Sequence, residues 1–516
     1  MWHKRTGSKG AITMKTGSVL FVGAGPGDPK LLTIKGMEAL QRADVVVYDR
    51  LANPLLLAHV RQEARLVYCG KEADRHTLPQ DEINLLLVRE AQKGQIVVRL
   101  KGGDPSMFGR VGEEAQMCRD HGIPFEIIPG ITSGMAAPLY AGIPLTHREY
   151  NSSVAFVTGH LCEKNAGKEP DWRALASVET LVIYMGVKNL PHIRGQLLRH
   201  GKSPDTPVAL VRWGTLGKQE TLEGRLETID QAAAKAGFQA PAIIVVGEVV
   251  RLRESLRWYD SKPLFGKRVA VASRGRSLER VLEQLGAEVW PIPLVQPPLA
   301  SHEAEGHGFP NDFFAYEWLV LDGELQVQFF FRELAARRFD LRQLQAKIVG
   351  GDRAAALALE QKGLYPQLVL EAPVVSSALP HVLHLNKGER ILHVSRGPSA
   401  AMRHAHGSLI HAVQGGDLQW DSSHPAAEWF HPDSFDWFAA DDACALEALA
   451  QFAGPDGRSK RLVCVGADTG ERARELGWIE RIECEQAEHL AEALEQRNIS
   501  GEASVRNFQT GVLGGG

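Results

Sequence analysis

The stretch Val22-Gly23-Ala24-Gly25-Pro26-Gly27-Asp28-Pro29 joins a β-branched run, Val19–Val22, to a helical pattern over Leu31–Gln41. Glycines at the end of a strand let the backbone approach a ligand closely, and the following helix start offers free N–H groups. Pro26 and Pro29 break the G-x-G-x-x-G spacing of a dinucleotide site, and no G-K-[ST] follows to make a phosphate loop. Taken alone, the stretch is weak evidence, since a βα turn that uses Gly and Pro for geometry is the alternative. Two more glycine turns follow strand-like runs: Val98-Arg99-Leu100-Lys101-Gly102-Gly103-Asp104-Pro105 and Ile128-Pro129-Gly130-Ile131-Thr132-Ser133-Gly134. Thr132 or Ser133 suits a helix N-cap. Open α/β sheets bind ligands beyond the carboxyl ends of their strands, so three such turns are expected to line one crevice.

Working outward, short β-branched runs alternate with longer amphipathic stretches from Val19 to about Tyr259. This rhythm predicts an α/β fold with largely parallel sheets. The charged stretch Arg251–Lys267, with Pro263 and Gly266, interrupts it and reads as an interdomain connection. The rhythm restarts at Arg268–Ala272, followed by a helical pattern over Leu278–Leu285 that Gly286 can cap. Ile348–Asp352 and Val463–Asp468 each lead from a strand through glycine into a helix, which predicts two similar lobes. The expected division is a flexible tail at 1–17, a first domain at 18–258, a linker at 259–266, a second domain at 267–500 and a flexible tail at 501–516. Met14 stands where a natural start would fall.

Length and composition agree with this division. The 516 residues allow two to four folding units at roughly 100 to 200 residues each. At 44% hydrophobic and 23% charged residues, the chain has a globular composition. Its 58 basic and 62 acidic residues leave a net charge of −4, which argues against a nucleic-acid or polybasic membrane partner. The six cysteines form no C-x-x-C pair, so neither a metal centre nor a disulfide framework is expected, and a reducing cytoplasm fits. No apolar run reaches the roughly 20 residues that span a bilayer, and the first residues lack the apolar stretch of a signal peptide.

Charged residues gather around the glycine turns: Asp49, Arg50, Lys71, His76, Arg99, Lys101, Arg110, His147 and Arg148. Singly, each reads as a solvated surface charge. Grouped at strand ends, they suit a substrate bearing several carboxylates. The strings G-A-G-P-G-D-P (23–29), Y-D-R-L-A-N-P (48–54), G-K-E-A-D-R-H-T-L-P-Q-D-E-I-N (70–84), V-R-L-K-G-G-D-P-S-M-F-G-R (98–110), P-G-I-T-S (129–133), A-G-I-P-L-T-H-R (141–148) and Y-M-G-V (184–187) closely resemble uroporphyrinogen-III C-methyltransferase over residues 18–258. The resemblance implies a tetrapyrrole methylase fold, with the donor cleft between two α/β subdomains. It implies methylation of uroporphyrinogen III at C2 and C7 by S-adenosylmethionine, giving precorrin-2 for sirohaem or cobalamin, and it implies a homodimer. By the same resemblance, Pro26, Gly102, Gly103, Asp104, Met107, Thr132, Ser133, Met185 and Gly214 would bind the donor, and Asp49 and Lys71 would accept and donate protons. A sulfonium is already an activated electrophile, so alignment and proton management suffice without a metal. Arg50, Arg99, Lys101, Arg110 and Arg148 would form a basic rim for the substrate carboxylates. Glu72 departs from the arginine common in the family, and Ser106-Met107 replaces a bulkier apolar pair. A later corrinoid precursor as substrate is the rival reading.

The second half resembles uroporphyrinogen-III synthase, a two-lobed α/β fold with a two-stranded connection that cyclises hydroxymethylbilane. The stretches that carry the resemblance are Val269–Ala272, Gly286-Ala287-Glu288-Val289, Pro291-Ile292-Pro293-Leu294, Val349-Gly350 with Ala354–Leu359, and Val465-Gly466 with Thr469 and Arg472–Gly477. Asp322, Glu324, Asp441 and Asp442 stand where that family commonly has Ser- or Thr-rich turns, and acidic turns are expected to repel a carboxylate-rich substrate. A non-catalytic scaffold or docking module is therefore the rival for this half.

Overall fold

The computed structural model describes residues 17–70, 79–159, 169–273, 275–295, 310, 312–371, 378–386, 388–395, 403–405, 408–414 and 418–496. The tails expected at 1–17 and 501–516, apart from Gly17, and with them Lys71, Glu72 and His76, lie outside the described residues.

The first sheet is built from β1 (Ser18–Gly23), β2 (Val45–Tyr48), β3 (Arg65–Tyr68), β4 (Ile96–Lys101) and β5 (Phe125–Ile128). Its order is β3-β2-β4-β1-β5, with every neighbour parallel. Both faces are covered, which is why β2, Val45-Val46-Val47-Tyr48, is apolar throughout and does not alternate. Val46 and Tyr48 pack into one apolar cluster, and Val45 and Val47 into another beneath α2 (Gln80–Gln92) and α3 (Val111–Asp120). On the other side lies α1 (Ile34–Gln41), started by Thr33, whose hydroxyl accepts the Gly36 N–H (3.1 Å).

The second sheet contains β6 (Val154–Thr158), β7 (Thr180–Tyr184), β8 (Pro207–Arg212), β9 (Glu220–Arg225) and β10 (Ala242–Val246), in the order β6-β7-β10-β8-β9. Only β6 and β7 are parallel, because β10 inserts antiparallel between β7 and β8, and β9 folds back on β8 as a hairpin. The expectation of largely parallel sheets therefore fails here. Alternation of strand and helix constrains spacing, not strand direction. The helix α4 (Ser133–Tyr140) lies between the two sheets, with Ala137 in the core of the second.

The connection after the second sheet is not a loose tether. Arg253 is buried, pairs with Glu223 (2.7 Å) and Asp260 (2.6 Å), and donates to the Ala141 carbonyl. Trp258 donates to the Leu139 carbonyl (3.0 Å), and Leu264 is 1% exposed. Its charges are spent on anchoring the segment to the first half.

Beyond it, β11 (Arg268–Ala272) and β12 (Glu288–Pro291) form a parallel sheet with β21 (Trp437–Ala440), β22 (Arg461–Val465) and β23 (Arg481–Cys484), in the order β12-β11-β21-β22-β23. Between β12 and β21 the chain builds another lobe from β14 (Trp318–Leu321), β15 (Lys347–Gly350), β16 (Leu368–Val369), β17 (Arg390–Ser395), β18 (Arg403–Ala405) and β19 (Ser408–Gln414). Its order is β16-β15-β14-β17-β19-β18, parallel except for β18. The chain leaves for this lobe along β13 (Leu294–Val295) and returns along β20 (Gln419–Trp420), and these two pair antiparallel. The two similar strand-glycine-helix stretches fall one in each lobe.

Of the acidic residues in the second half's turns, Asp322 is buried and Glu324, Asp441 and Asp442 are half-buried. Asp322 is 4% exposed and accepts the Nε2–H of buried His393 (2.7 Å). Asp441 accepts the Ser273 hydroxyl (2.6 Å), and Asp442 caps the helix Ala443–Gly457 through the N–H groups of Cys444 and Ala445. Glu324 accepts from Gln328 one turn along its helix (3.0 Å). The repulsion expected from their sequence position is thus reduced, because all four of these carboxylates are already occupied as acceptors. Among the described residues, no helix is long and apolar enough to cross a membrane.

Candidate donor and substrate site

The three glycine turns meet backbone to backbone. Gly25 donates to the Gly103 carbonyl (3.2 Å), and Gly103 donates to the Gly25 carbonyl (2.7 Å). A Cβ added to Gly130 would stand 2.4 Å from the Gly103 oxygen and 2.8 Å from Gly23 Cα, so only glycine permits this approach. Gly103 is constrained differently. A Cβ there would meet nothing nearer than 3.6 Å, but its φ of +68° favours glycine. Asp104 ties two turns together by accepting the N–H groups of Gly130 (2.9 Å) and Ser106 (2.7 Å). Burial alone would raise its carboxyl pKa. The Ser106 hydroxyl and the N–H groups of Gly130, Ser106 and Met107 outweigh burial and hold it below the ordinary carboxylate range.

Thr132 occupies the N-cap position of α4 but makes no capping hydrogen bond. Its hydroxyl lies 2.6 Å from the Tyr184 hydroxyl, which also accepts the Gly134 N–H (2.9 Å). Tyr184 ends β7 and packs against Phe108 with ring centroids 5.0 Å apart, so it fastens the third turn to the second sheet. Sequence reasoning singled out its neighbour Met185 and passed over Tyr184. Met185 follows at φ +53°, half exposed. Ser133 opens α4, and Met107 is partly buried in the loop after Gly103. Pro26 sits partly exposed in the first turn, beside Gly27 with φ +152°.

The loop after β8 closes against the first turn. A Cβ on Gly27 would lie 2.9 Å from Thr215 Oγ1 and 3.2 Å from the Gly214 oxygen, and one on Gly214 would collide with Ala137. Thr215 Oγ1 accepts the Asp28 N–H (2.9 Å). A Cβ on Gly102 would likewise lie 2.6 Å from that of Leu51, two residues past Asp49.

Asp49 follows β2 with a side chain 26% exposed; it accepts the Leu51 N–H (3.1 Å) and a proton of the Arg99 guanidinium (3.2 Å). Arg99 and Lys101 do not belong to an accessible rim. Their side chains are 5% and 7% exposed, and both are neutralised by Glu114, which Lys101 meets at 2.8 Å and Arg99 at 3.5 Å. Burial pulls Arg99 down, but Asp49, Cys69 and Glu114 outweigh it and hold the guanidinium above its ordinary value. Burial, helped by Arg99, lowers Lys101. The reason is positional: alternation along β4 aims residues 97, 99 and 101 at α3, not at the crevice. Arg50, Arg110 and Arg148 are exposed. Arg50 lies 5.9 Å from the Trp213 ring, and Arg110 pairs with Glu113.

Residues 18–230 match the family described as Tetrapyrrole (Corrin/Porphyrin) Methylases. A uroporphyrinogen-III C-methyltransferase of Bacillus subtilis (strain 168) is 47% identical over 360 residues, covering 68% of this chain and 73% of that protein. The chain belongs to the uroporphyrinogen-III C-methyltransferase family. The Priestia megaterium member of this family is 54% identical over 236 residues, 45% of this chain and 98% of the relative. A solved uroporphyrin-III C-methyl transferase from Thermus thermophilus, complexed with S-adenyl homocysteine, is 43% identical over 46% of this chain and all of that chain, with a TM-score of 0.40. The family match ends at residue 230. The 360-residue alignment to the Bacillus subtilis methyltransferase is longer than the first half, so that likeness runs on into the second.

Proposed function

We propose that the first half transfers methyl groups from S-adenosylmethionine to C2 and C7 of uroporphyrinogen III, giving precorrin-2. The observation that carries this reading is the convergence of three glycine turns on one crevice whose edge holds Asp49. Glycine at 23, 103 and 130 lets the three turns pack closely on one another, and Pro26, Gly102, Asp104, Met107, Thr132, Ser133, Met185 and Gly214 are the residues we assign to the donor beside them. The donor supplies an activated methyl. Each methyl gained by the macrocycle is balanced by a proton lost from it. We assign the acceptance of that proton to Asp49, which is partly exposed and hydrogen-bonded by Arg99. Lys71 is its proposed proton-donating companion. Arg50, Arg110 and Arg148 are the candidates for the substrate carboxylates, while Arg99 and Lys101 serve from behind through Asp49 and Glu114.

We further infer that the second half is a uroporphyrinogen-III synthase-like domain acting on hydroxymethylbilane. The two α/β lobes joined by the β13–β20 ribbon support this, as does the inward engagement of Asp322, Asp441 and Asp442. A homodimer formed by the exposed apolar residues Met135, Leu139, Leu256 and Trp258 completes the reading, and the free state of the five described cysteines fits a reducing cytoplasm. The test is isomer-resolved product analysis after giving the whole chain hydroxymethylbilane, with and without S-adenosylmethionine. The reading expects type III ring, dimethylated when donor is present. Type I ring alone would refute the synthase assignment. Failure to methylate added uroporphyrinogen III would refute the first.

A further inference from the structure

The two halves touch at a strained loop of the proposed donor site. The loop 213–219 between β8 and β9 places two non-glycine residues at positive φ, Trp213 (+49°) and Thr215 (+72°). Such backbone persists only where neighbours over-determine it. Most of those neighbours belong to the first half and its connection: Thr215 N–H donates to Gln219 Oε1 (2.9 Å), Asp28 N–H donates to Thr215 Oγ1 (2.9 Å), and Tyr259 donates to the Thr215 carbonyl (3.2 Å).

One restraint comes from the second half. Gly217 N–H donates to Oε2 of Glu288 (3.0 Å), the first residue of β12. Glu288 is itself immobilised, since its Oε1 accepts from Arg268 Nε (3.0 Å) and Trp290 Nε1 (2.9 Å), and its side chain is 10% exposed. The fit is close enough that a Cβ on Gly217 would stand 2.7 Å from that of Glu288. The same loop packs Gly214 against Ala137 and Thr215 against Gly27, so its position determines how closely α4 and the first glycine turn approach.

We propose that Glu288, a residue of the second half, is a positioning residue for the donor site of the first, acting through the Gly217 N–H on the loop that carries Gly214. This rests on the donor-site reading above. On this reading the second half is a working part of the donor site.

The test uses the full chain, with S-adenosyl homocysteine as the titrant. Glu288→Ala is expected to raise its Kd about tenfold, as expected for loss of a hydrogen bond to a charged acceptor. The donor KM should rise in parallel, while kcat at saturating donor stays within about twofold, a split that general loosening of the fold would not produce. Glu288→Gln keeps an oxygen for the Gly217 N–H and should recover most of the affinity. Gly217→Ala approaches the same contact from the loop side and should weaken binding without touching Glu288 chemistry, which keeps the test open if Glu288→Ala unfolds. Ser423→Ala, at an interface contact with Gln62 remote from this loop, should bind like the wild type. Wild-type Kd in both Glu288→Ala and Gly217→Ala would overturn the inference, as would equal weakening by Ser423→Ala. No binding of S-adenosyl homocysteine by the wild type would instead sink the donor-site reading itself.

Discussion

Glu114→Leu should be among the most damaging single substitutions in the first half, although Glu114 touches neither proposed substrate. Its carboxylate is 0% exposed, with Lys101 Nζ at 2.8 Å from each oxygen, Arg99 Nε at 3.5 Å and Gln80 donating at 2.9 Å. Removing one member of a buried ion pair costs about 3–5 kcal/mol, because the desolvated partner is left without a counter-charge. Here Lys101 loses its counter-charge, while Arg99 keeps Asp49, already its nearer carboxylate at 3.2 Å against 3.5 Å for Glu114. The expected loss is therefore that of one orphaned buried cation, about 3–5 kcal/mol. The chain has several folding units, so one global unfolding curve would blur the effect. Hydrogen exchange of the β2 and β4 amides, compared with those of β21 and β22, isolates the first half. Lys101→Met in the same chain should return most of the loss, since an apolar pair of similar volume is often neutral or stabilising. A destabilisation of Glu114→Leu below about 1 kcal/mol, a surface-pair value, or no rescue by Lys101→Met, would refute the view that this network is a buried charge balance.

Three further outcomes are expected. Gly130→Ala drives a Cβ to 2.4 Å from the Gly103 oxygen and should weaken S-adenosyl homocysteine binding at least about tenfold by calorimetry, with the overpacking borne by backbone. Asp49→Ala should reduce methyl transfer at least about a hundredfold while changing donor affinity little, as stopped assays and titration would show. The Asp104 carboxyl is held below its unfolded value, so its contribution is complete above about pH 4 and is lost as pH falls through the lower folded value. Asp104→Asn should therefore be less stable than wild type at pH 7, by urea titration, with the gap closing as the pH drops below about 4.

Much of the candidate site's geometry was legible because it is made of local signals. Glycine at 23, 25, 103 and 130 marks places where a side chain would collide or the backbone would strain, and Asp49 stands at a strand end. The misplacement of Arg99 and Lys101 was avoidable in principle. Period two along β4 puts them on the face of Val97, and period 3.6 along α3 puts Glu114 on one stripe with Val111, Ala115 and Cys118. A carboxylate on an apolar stripe facing two cations is a buried network written in two periodicities. Tyr184 left no such mark, since its role exists only once the second sheet docks against Thr132. The antiparallel insertion of β10 and the placement of 318–414 between β12 and β21 are likewise properties of distant pairings, which a strand-helix rhythm does not encode.

The central claim is tested most directly by the mass of the tetrapyrrole recovered after the full chain turns over uroporphyrinogen III with excess S-adenosylmethionine. The account predicts a gain of two methyl groups, on C2 and C7, with an equal amount of S-adenosyl homocysteine for each methyl transferred. An unchanged tetrapyrrole, from a chain that still binds S-adenosyl homocysteine, would contradict it.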